Sequence, residues 1–521
     1  MYVSITDIVS VKDMRVYEVN AVWLGIPLLL LMENAGKEVA HVVCNKLGGD
    51  LRNKEIVVFV GRGGNGGDGL VAARHLAAMG ARVTIKLLYD PLMISSPDTL
   101  FNMRLIDRID SIRVEKVKDI ERLKPLSADA LIDAMLGVGV RGPLRDPIKT
   151  AVKVFNESKG LKVAIDVPSG VDPDTGETAD EAVIADVTVT MHKVKPGLIK
   201  AKKYVGELVV AEIGIPPEAE IYVGPGDVKY RVPKKPTDAH KGVGGRVLVV
   251  GGSELYSGAP ALSALSALRT GADLAFIMAP GSVARTIASY SPNLIVYGTG
   301  NNFFTEQDID SLKNIVERTR PHAVIIGPGI GLHEETKVFV IKAIGFLKSL
   351  NKYMIIDADA LKHIAGAHLE LSKSVLTPHL GELLKLLELE SNNIAQTDNI
   401  NVRIELCKRA SEKYKSIILF KGHIDIICNG SKYRLNRTGN PGMSVGGTGD
   451  VLTGIIAALI ARGMDPYYAA QVAAYINGRA GDLAFNDYGE RITALDIINY
   501  VPKVFLEAEE YPYKRIVLYD K

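Results

Sequence analysis

The chain has 521 residues, 47% of them hydrophobic and 23% charged; this excludes a disordered or low-complexity chain and calls for two or three domains. Its 62 Lys+Arg against 60 Asp+Glu leave a net charge of +2, which excludes a field strong enough to mark binding of nucleic acid or an anionic membrane. Three widely spaced cysteines, Cys44, Cys407 and Cys428, exclude a disulfide framework and a zinc pattern, and point to a reducing cytoplasm.

The first elements are helical. Lys12–Leu24 and Pro27–Leu47 are apolar at three- and four-residue intervals and are broken by Gly25 and Gly48. The apolar runs Ala21–Met32 and Val451–Ala461 fall short of the ~20 residues that cross a bilayer, and no secretory signal is expected at the N-terminus. Ala21–Met32, with Trp23, reads as core packing, with a subunit interface as the other use. Strands are expected at Glu55–Val60, Arg82–Tyr89, Ala130–Leu136, Lys162–Val167 and Asp186–Met191, with helices Leu70–Met79 and Ile148–Phe155 between them. Alternation of this kind predicts βαβ units and a mostly parallel sheet. Gly214–Gly242 contains five prolines and no sustained period, so it reads as a linker. After it, Arg246–Val250, Ala259–Thr270, Ala272–Met278 and Ser282–Tyr290 restart the alternation. Ala323–Ile326, Tyr353–Ile356, Ser374–Thr377 and Ser416–Phe420 continue the strands. Ile424–Cys428 and Lys432–Leu435 flank Asn429-Gly430, a type I′ hairpin signal. Two α/β domains are expected, 1–220 and 226–521.

Glycine runs carry the chemistry. Gly61-Arg-Gly-Gly-Asn-Gly-Gly-Asp-Gly69 lies between a strand and a helix, where free N–H groups face an anion. Gly61, Gly63 and Gly66 satisfy G-x-G-x-x-G, with Asp90 near the position of a ribose-binding acid, so a dinucleotide dehydrogenase is one reading. A tight turn is another. Asp68 opposes both a pyrophosphate and the ordinary Rossmann pattern, because two anions in a dry site repel. Asn65 and Asp68 instead suit a cation or a hydroxyl-bearing ligand. Asp133, Asp166 and Asp172 follow strand ends on the same side of the sheet, so a carboxylate cluster beside this loop is expected, against helix capping for any one of them.

The second run, Asn440-Pro-Gly-Met-Ser-Val-Gly-Gly-Thr-Gly-Asp450, leads into the apolar helix Val451–Ala461. Gly446, Gly447 and Gly449 free backbone N–H groups for phosphoryl oxygens. Asp450 is then placed as general base for a nucleophilic hydroxyl; the alternative is a helix cap. Gly-Thr-Gly-Asp before an apolar helix resembles the ribokinase-like kinases.

Taken together the two halves resemble the NAD(P)H-hydrate epimerases and dehydratases, in the fused order of the bifunctional repair enzymes. The first half contributes Met32-Glu-Asn-Ala-Gly36, Gly64–Asp68, Asp133, Gly137–Pro143 and Asp166-Val-Pro-Ser-Gly-Val-Asp172. The second contributes His240-Lys-Gly, Gly251-Gly-Ser253, Gly258-Ala-Pro260, Gly327-Pro-Gly-Ile-Gly331, Asp357-Ala-Asp-Ala360, Thr377-Pro-His-Leu-Gly-Glu382 and Asn440–Asp450. The resemblance implies a Rossmann-like epimerase domain followed by a ribokinase-like dehydratase domain. It implies repair of NADH and NADPH hydrated at C6 of the nicotinamide: interconversion of the R and S hydrates, then dehydration of the S hydrate at the expense of ADP, or ATP. It places the hydrate of the first half on Gly64, Asn65, Gly66, Gly67, Asp68, Gly137, Val138, Gly139, Val140, Arg141, Gly142, Pro143 and Asp166, and potassium on Asn65, Asp133 and Ser169. In the second half it places substrate on Ala259, Gly329, Thr377, Pro378, His379, Leu380, Gly381, Glu382 and Asp450. The adenine nucleotide, with Mg²⁺, falls to Lys421, Gly422, His423, Ile424, Asp425, Asn440, Pro441, Gly442, Met443, Ser444, Val445, Gly446, Gly447, Thr448 and Gly449. Asp450 and Asp166 are the expected acid/base groups. Gly64 stands where the family usually has the first of two Asn, and Ser444-Val445 where it usually has Ala-Ser. Partners are expected to be the two hydrates and ADP or ATP, with no nucleic acid or membrane, in a homo-oligomer. A ribokinase-like kinase fused to a nucleotide-binding module, and a non-enzymatic binding module in the first half, are the rival readings.

Overall fold

The computed structural model describes residues 8–139, 142–238, 244–367, 369–389 and 399–513. These divide into two compact units between Pro217 and Glu218. No helix among the described residues is long and apolar enough to cross a membrane.

The first unit is built on seven strands: β1 (Glu55–Val60), β2 (Arg82–Leu87), β3 (Ile112–Lys116), β4 (Ser127–Ala134), β5 (Lys159–Ile165), β6 (Val187–Met191) and β7 (Glu207–Ala211). Their order is β3-β2-β1-β4-β5-β6-β7, and every pair is parallel. The order reverses between β1 and β4, which opens a crevice beyond their carboxyl ends. Val58, Val60, Ile132 and Ile165 are fully buried, as expected of strands covered on both faces. The Ala21–Met32 run is two helix ends joined at Gly25, with Ala21, Val22 and Leu31 in the core. The helix after β1 spans Gly64–Ala78, starting six residues before its apolar pattern predicts. The first glycine run is therefore mostly helix. Its glycines owe nothing to positive φ; they permit close packing, since a Cβ on Gly66 would lie 2.2 Å from the Gly61 carbonyl oxygen and one on Gly69 2.4 Å from the Ala134 Cβ.

The second unit repeats the plan. Its strands are β8 (Arg246–Val250), β9 (Leu274–Ala279), β10 (Ile295–Gly298), β11 (Ala323–Ile326), β12 (Tyr353–Ile356), β13 (Ser374–Leu376), β14 (Ile417–Phe420), β15 (Asp425–Asn429) and β16 (Lys432–Asn436). The order is β10-β9-β8-β11-β12-β13-β14-β15-β16, parallel except for the final two antiparallel pairings. The hairpin turn sits one residue later than expected: Asn429 pairs with Lys432, and the positive φ (58°) falls on Gly430. Gly first in a two-residue turn is the II′ signature rather than I′. The proline-rich stretch after Gly214 carries two short helices, Pro217–Ile221 and Pro225–Arg231. The second is held by Asp227, whose carboxylate accepts hydrogen bonds from Arg231 Nε (2.9 Å) and Arg434 Nη2 (3.0 Å) of β16. Thr448–Ala461 is buried over its whole apolar length and crosses helix Gly258–Thr270, where Ser266 Oγ donates to the Val451 carbonyl (2.9 Å).

Candidate functional site

In the first unit the expected residues converge beyond β1, β4 and β5. Asp133, last but one in β4 and fully buried, accepts from Ser169 N (2.8 Å), Ser169 Oγ (2.7 Å) and Met135 N (3.1 Å). Burial pushes its carboxyl up to about 6 against the pull of those bonds. Asn65 donates Nδ2 to the Leu136 carbonyl (2.9 Å), and the same carbonyl accepts from Ser169 Oγ (3.3 Å). The Asn65 Oδ1 is buried without a partner. Asn65, Asp133 and Ser169, scattered over 105 positions of sequence, thus share one small oxygen-rich nest. Beside it Gly137, Gly142, Ser169 and Asp172 line a cavity of ≈ 230 Å³. Val140 and Arg141 lie outside the described residues.

Asp172 departs from the expected carboxylate cluster: its Oδ1 accepts from Asp174 N and Thr175 N, both at 2.9 Å, and so closes a turn. The cluster forms from other acids. Asp68, half-buried in the second turn of its helix, is held well above the ordinary carboxylate range by desolvation, with the charges of Asp166 and Glu18 adding and Lys195 opposing. Glu18, on helix Val11–Trp23, is pushed up to about 7 by burial and by Asp166, against Lys195 and Arg15. Asp166 follows β5 at φ 62° and binds Lys195 Nζ at 2.6 Å. Sequence reading missed Glu18 and Lys195. The signal for Lys195 is that Lys195-Pro-Gly follows a buried strand on the ligand side of a parallel sheet.

In the second unit the equivalent strand ends supply Asp357 after β12, Thr377 after β13 and Lys421 after β14. Asp357 Oδ1 accepts from Thr377 Oγ1 (2.7 Å) and Lys421 Nζ (2.9 Å). Lys421 also donates its N–H to the Pro378 carbonyl (2.9 Å), tying two strand ends together. Burial works against the Lys421 charge, but Asp357, Glu382 and Asp450 outweigh it and hold the ammonium above its ordinary range. His379 and Glu382 form a capping box on helix Leu380–Leu386: His379 N donates to Glu382 Oε2 at 2.9 Å. Ala259 and Gly329 also meet, a Cβ on Gly329 falling 3.3 Å from that of Ala259 and 2.7 Å from that of Tyr256.

The second glycine run divides in two. Asn440 donates Nδ2 to Asp482 (3.1 Å) and Pro441–Met443 make a 3₁₀ turn. Ser444, Val445 and Gly446 are exposed. Gly447, at φ 94°, is the N-cap, and Thr448, Gly449 and Asp450 are the first three helical residues. The helix therefore starts three residues before its apolar stretch, and its free N–H groups lie beside the Lys421–Asp357 pair: a Cβ on Gly449 would stand 3.4 Å from Lys421 Nζ and 3.8 Å from Asp357 Oδ2. The Asp450 side chain makes no hydrogen bond to any described residue and caps nothing. Burial and the Asp357 charge push it up to about 8 against the pull of Lys421. Gly422-His-Ile-Asp425 is the turn into β15, with Asp425 accepting from Gly422 N (3.0 Å) and Asn436 Nδ2 (3.0 Å). His240 and Lys241 lie outside the described residues.

A family model described as the YjeF-related protein N-terminus matches residues 29–197, and one described as NAD(P)H-hydrate dehydratase matches 247–503. A bifunctional NAD(P)H-hydrate repair enzyme of Methanothermobacter thermautotrophicus is 41% identical over 94% of this chain and 94% of its own length. The chain belongs to the bifunctional NAD(P)H-hydrate repair enzymes. The relative from Hyperthermus butylicus is 44% identical, covering 94% of this chain and 91% of itself. A solved ADP/ATP-dependent NAD(P)H-hydrate dehydratase from Bacillus subtilis is 25% identical, covers 55% of this chain and 98% of its own, and superposes with a TM-score of 0.47. This repair enzyme joins an epimerase of the R and S hydrates of NADH and NADPH to a nucleotide-driven dehydratase of the S hydrate.

Proposed function

We propose that dehydration proceeds by phosphoryl transfer from ADP, or ATP, to the C6 hydroxyl of the S hydrate, with Asp450 as the base. Hydroxide is a poor leaving group, and a phosphate ester is a good one. Asp450 takes the hydroxyl proton as the oxygen attacks the terminal phosphorus. The amides at the start of helix Thr448–Ala461 receive the phosphoryl oxygens, and Lys421 adds a fixed positive charge. The observation that carries this reading is the unbonded Asp450 carboxyl at a helix N-terminus beside the Lys421–Asp357 pair. Mg²⁺ belongs with the nucleotide phosphates, whose charge it neutralises. Ala259, Gly329 and Thr377–Glu382 hold the hydrate, and Lys421–Asp425 with Asn440–Gly449 hold the nucleotide.

In the first domain the hydrate binds over Gly64–Asp68, Gly137–Pro143 and Asp166, and Asp166 serves as acid/base at C6. Potassium fits the nest of Asn65, Asp133 and Ser169, because an orphaned buried amide oxygen, a hydroxyl and a single carboxylate suit a large monovalent cation better than Mg²⁺. When bound it supplies a fixed positive charge beside the acidic cluster. The chain acts in the cytoplasm as a homo-oligomer; its three cysteines are all free, which agrees with a reducing compartment.

The test is to incubate hydrated NADH with the protein, Mg²⁺ and ADP or ATP, while following the reduced-nicotinamide absorbance and separating R from S. Recovery of absorbance that needs nucleotide supports the reading. Accumulation of a stable phosphorylated hydrate would turn it toward a kinase, and no recovery with either nucleotide would overturn it.

A further inference from the structure

The ion pair of Lys195 with Asp166 is built asymmetrically. Lys195 lies at 1% exposure in the first unit, and its ammonium has three acceptors for three protons: Asp166 Oδ1 (2.6 Å), Met191 O (2.9 Å) and Thr190 Oγ1 (3.1 Å). The same Asp166 Oδ1 also accepts from Thr190 Oγ1 and from Met191 N, both at 3.3 Å. Asp166 Oδ2 has no hydrogen bond to any described residue, and the side chain retains 13% exposure. One carboxylate oxygen is thus saturated by protein donors while the other is left open to a ligand. Asp166 is moreover held at φ 62°, in a region that non-glycine residues rarely occupy and that clusters at functional sites.

We propose that Lys195 is the positioning residue of the epimerase, clamping Oδ1 so that Asp166 presents Oδ2 as the oxygen that exchanges protons with the hydrate. This rests on the reading of Asp166 as the acid/base group. Three carboxyl groups, Asp68, Glu18 and Asp166, share the site, together with the cations Lys195 and Arg15. Lys195 pairs with Asp166, whereas desolvation and the neighbouring carboxylates hold Asp68 well above the ordinary carboxylate range. The division of labour then follows from the environments of the pair. Asp68 gives its proton to the C6 hydroxyl, the C6–O bond breaks to release water, and the N1 lone pair forms a C6–N1 double bond. Water adds from the opposite face, the C6–O bond forms again and the electron pair returns to N1. Asp166 Oδ2 takes the proton of the adding water and returns it to Asp68, so no net proton is consumed.

The test uses the full chain with separated R hydrate. Lys195→Met is expected to lower the epimerisation kcat roughly 10²-fold, the usual cost of a misplaced reacting group, with KM within about threefold, since clamping orients Asp166 and does not hold the hydrate. Lys195→Arg should recover part of the rate, and the dehydratase rate of the same preparations should be unchanged. A folded Lys195→Met with kcat near wild type overturns the proposal. If that variant does not fold, Thr190→Val decides: it removes one contact to Oδ1 and one to Lys195 Nζ and should lower the epimerisation kcat with KM held, and an unchanged kcat overturns the proposal. A wild-type chain that fails to epimerise at all, while its dehydratase works, would instead sink the reading of Asp166.

Discussion

The two domains are one plan used twice. β1 corresponds to β8, β4 to β11 and β5 to β12, and the reversal of strand order falls at the same place in both sheets. At that place the chain leaving β1 grazes the loop after β4, and the chain leaving β8 grazes the loop after β11. A Cβ on Gly61 would lie 1.9 Å from the Met135 carbonyl oxygen, and one on Gly251 2.3 Å from that of Pro328. Both domains then set an aspartate beyond the equivalent strand, Asp166 after β5 and Asp357 after β12, and pair it with a buried or half-buried lysine. The domains part over what surrounds the pair. In the first it is further carboxyl groups and neutral oxygens, which suit proton exchange and a monovalent cation. In the second it is the N-terminus of helix Thr448–Ala461, which suits phosphate. The lesson is that the sheet fixes where a lysine–aspartate pair sits, while the element placed beside it selects the reaction.

The sharpest cut between the halves is Asp450→Asn. It keeps the size of the side chain and any capping capacity but removes the basicity, so dehydration should fall roughly 10²–10⁴-fold. Nucleotide affinity by calorimetry should hold or improve, and the epimerase rate should not move. Turnover close to wild type would shift the search for the base to Asp357 or Glu382.

Gly61→Ala and Gly251→Ala test the shared geometry. Each drives a methyl group into a backbone carbonyl, and each should destabilise its own domain by about 1–3 kcal/mol, seen as one shifted transition in calorimetry. If either is tolerated, the equivalence of the two switch points fails.

The pH dependences should differ in position. A base pushed up to about 8 must lose its proton to act, so dehydratase kcat/KM should climb as pH rises through about 8, and Asp450→Asn should abolish that limb. Activation of the epimerase by potassium needs Asp133 ionised, so it should strengthen as pH rises through about 6. Stability follows the same group with the sign worked out. The folded chain keeps the Asp133 proton up to about 6, whereas the unfolded chain releases it near ~3.9. In that window the folded state binds more protons, so without potassium the first domain loses stability as pH rises, and added potassium should restore it.

The smallest effect is expected at Gly64. It is the first residue of its helix, has no atom within 4 Å of a built Cβ and has an ordinary φ. Gly64→Ala should therefore stabilise the first domain by up to ~1 kcal/mol through the unfolded state. Gly64→Asn should be tolerated and, by restoring a polar side chain at the loop, tighten hydrate binding in titration.

The fold was legible wherever strands are buried on both sides. The three strands without a readable signal, β3, β7 and β10, all lie at sheet edges. Ile112-Arg-Val-Glu-Lys116 shows why: half-solvated edges take charged residues, and the apolar run disappears. The first glycine run looked like a loop because glycine is a poor helix former, but close packing against β1 and β4 overrides propensity there. Asp450 was visible because its chemistry is local, an acid next to glycines before an apolar helix. Lys195 was not, since its partner is 29 residues away and only the adjacency of β5 and β6 brings them together.

The division between Pro217 and Glu218 falls within a single polypeptide, so every molecule translated carries one epimerase and one dehydratase. Copy number cannot drift between the two activities, and no change in expression alters their ratio. The clearance of the R isomer relative to the S isomer is then set by the two domains' rates in their shared conditions, not by the relative abundance of two separate proteins.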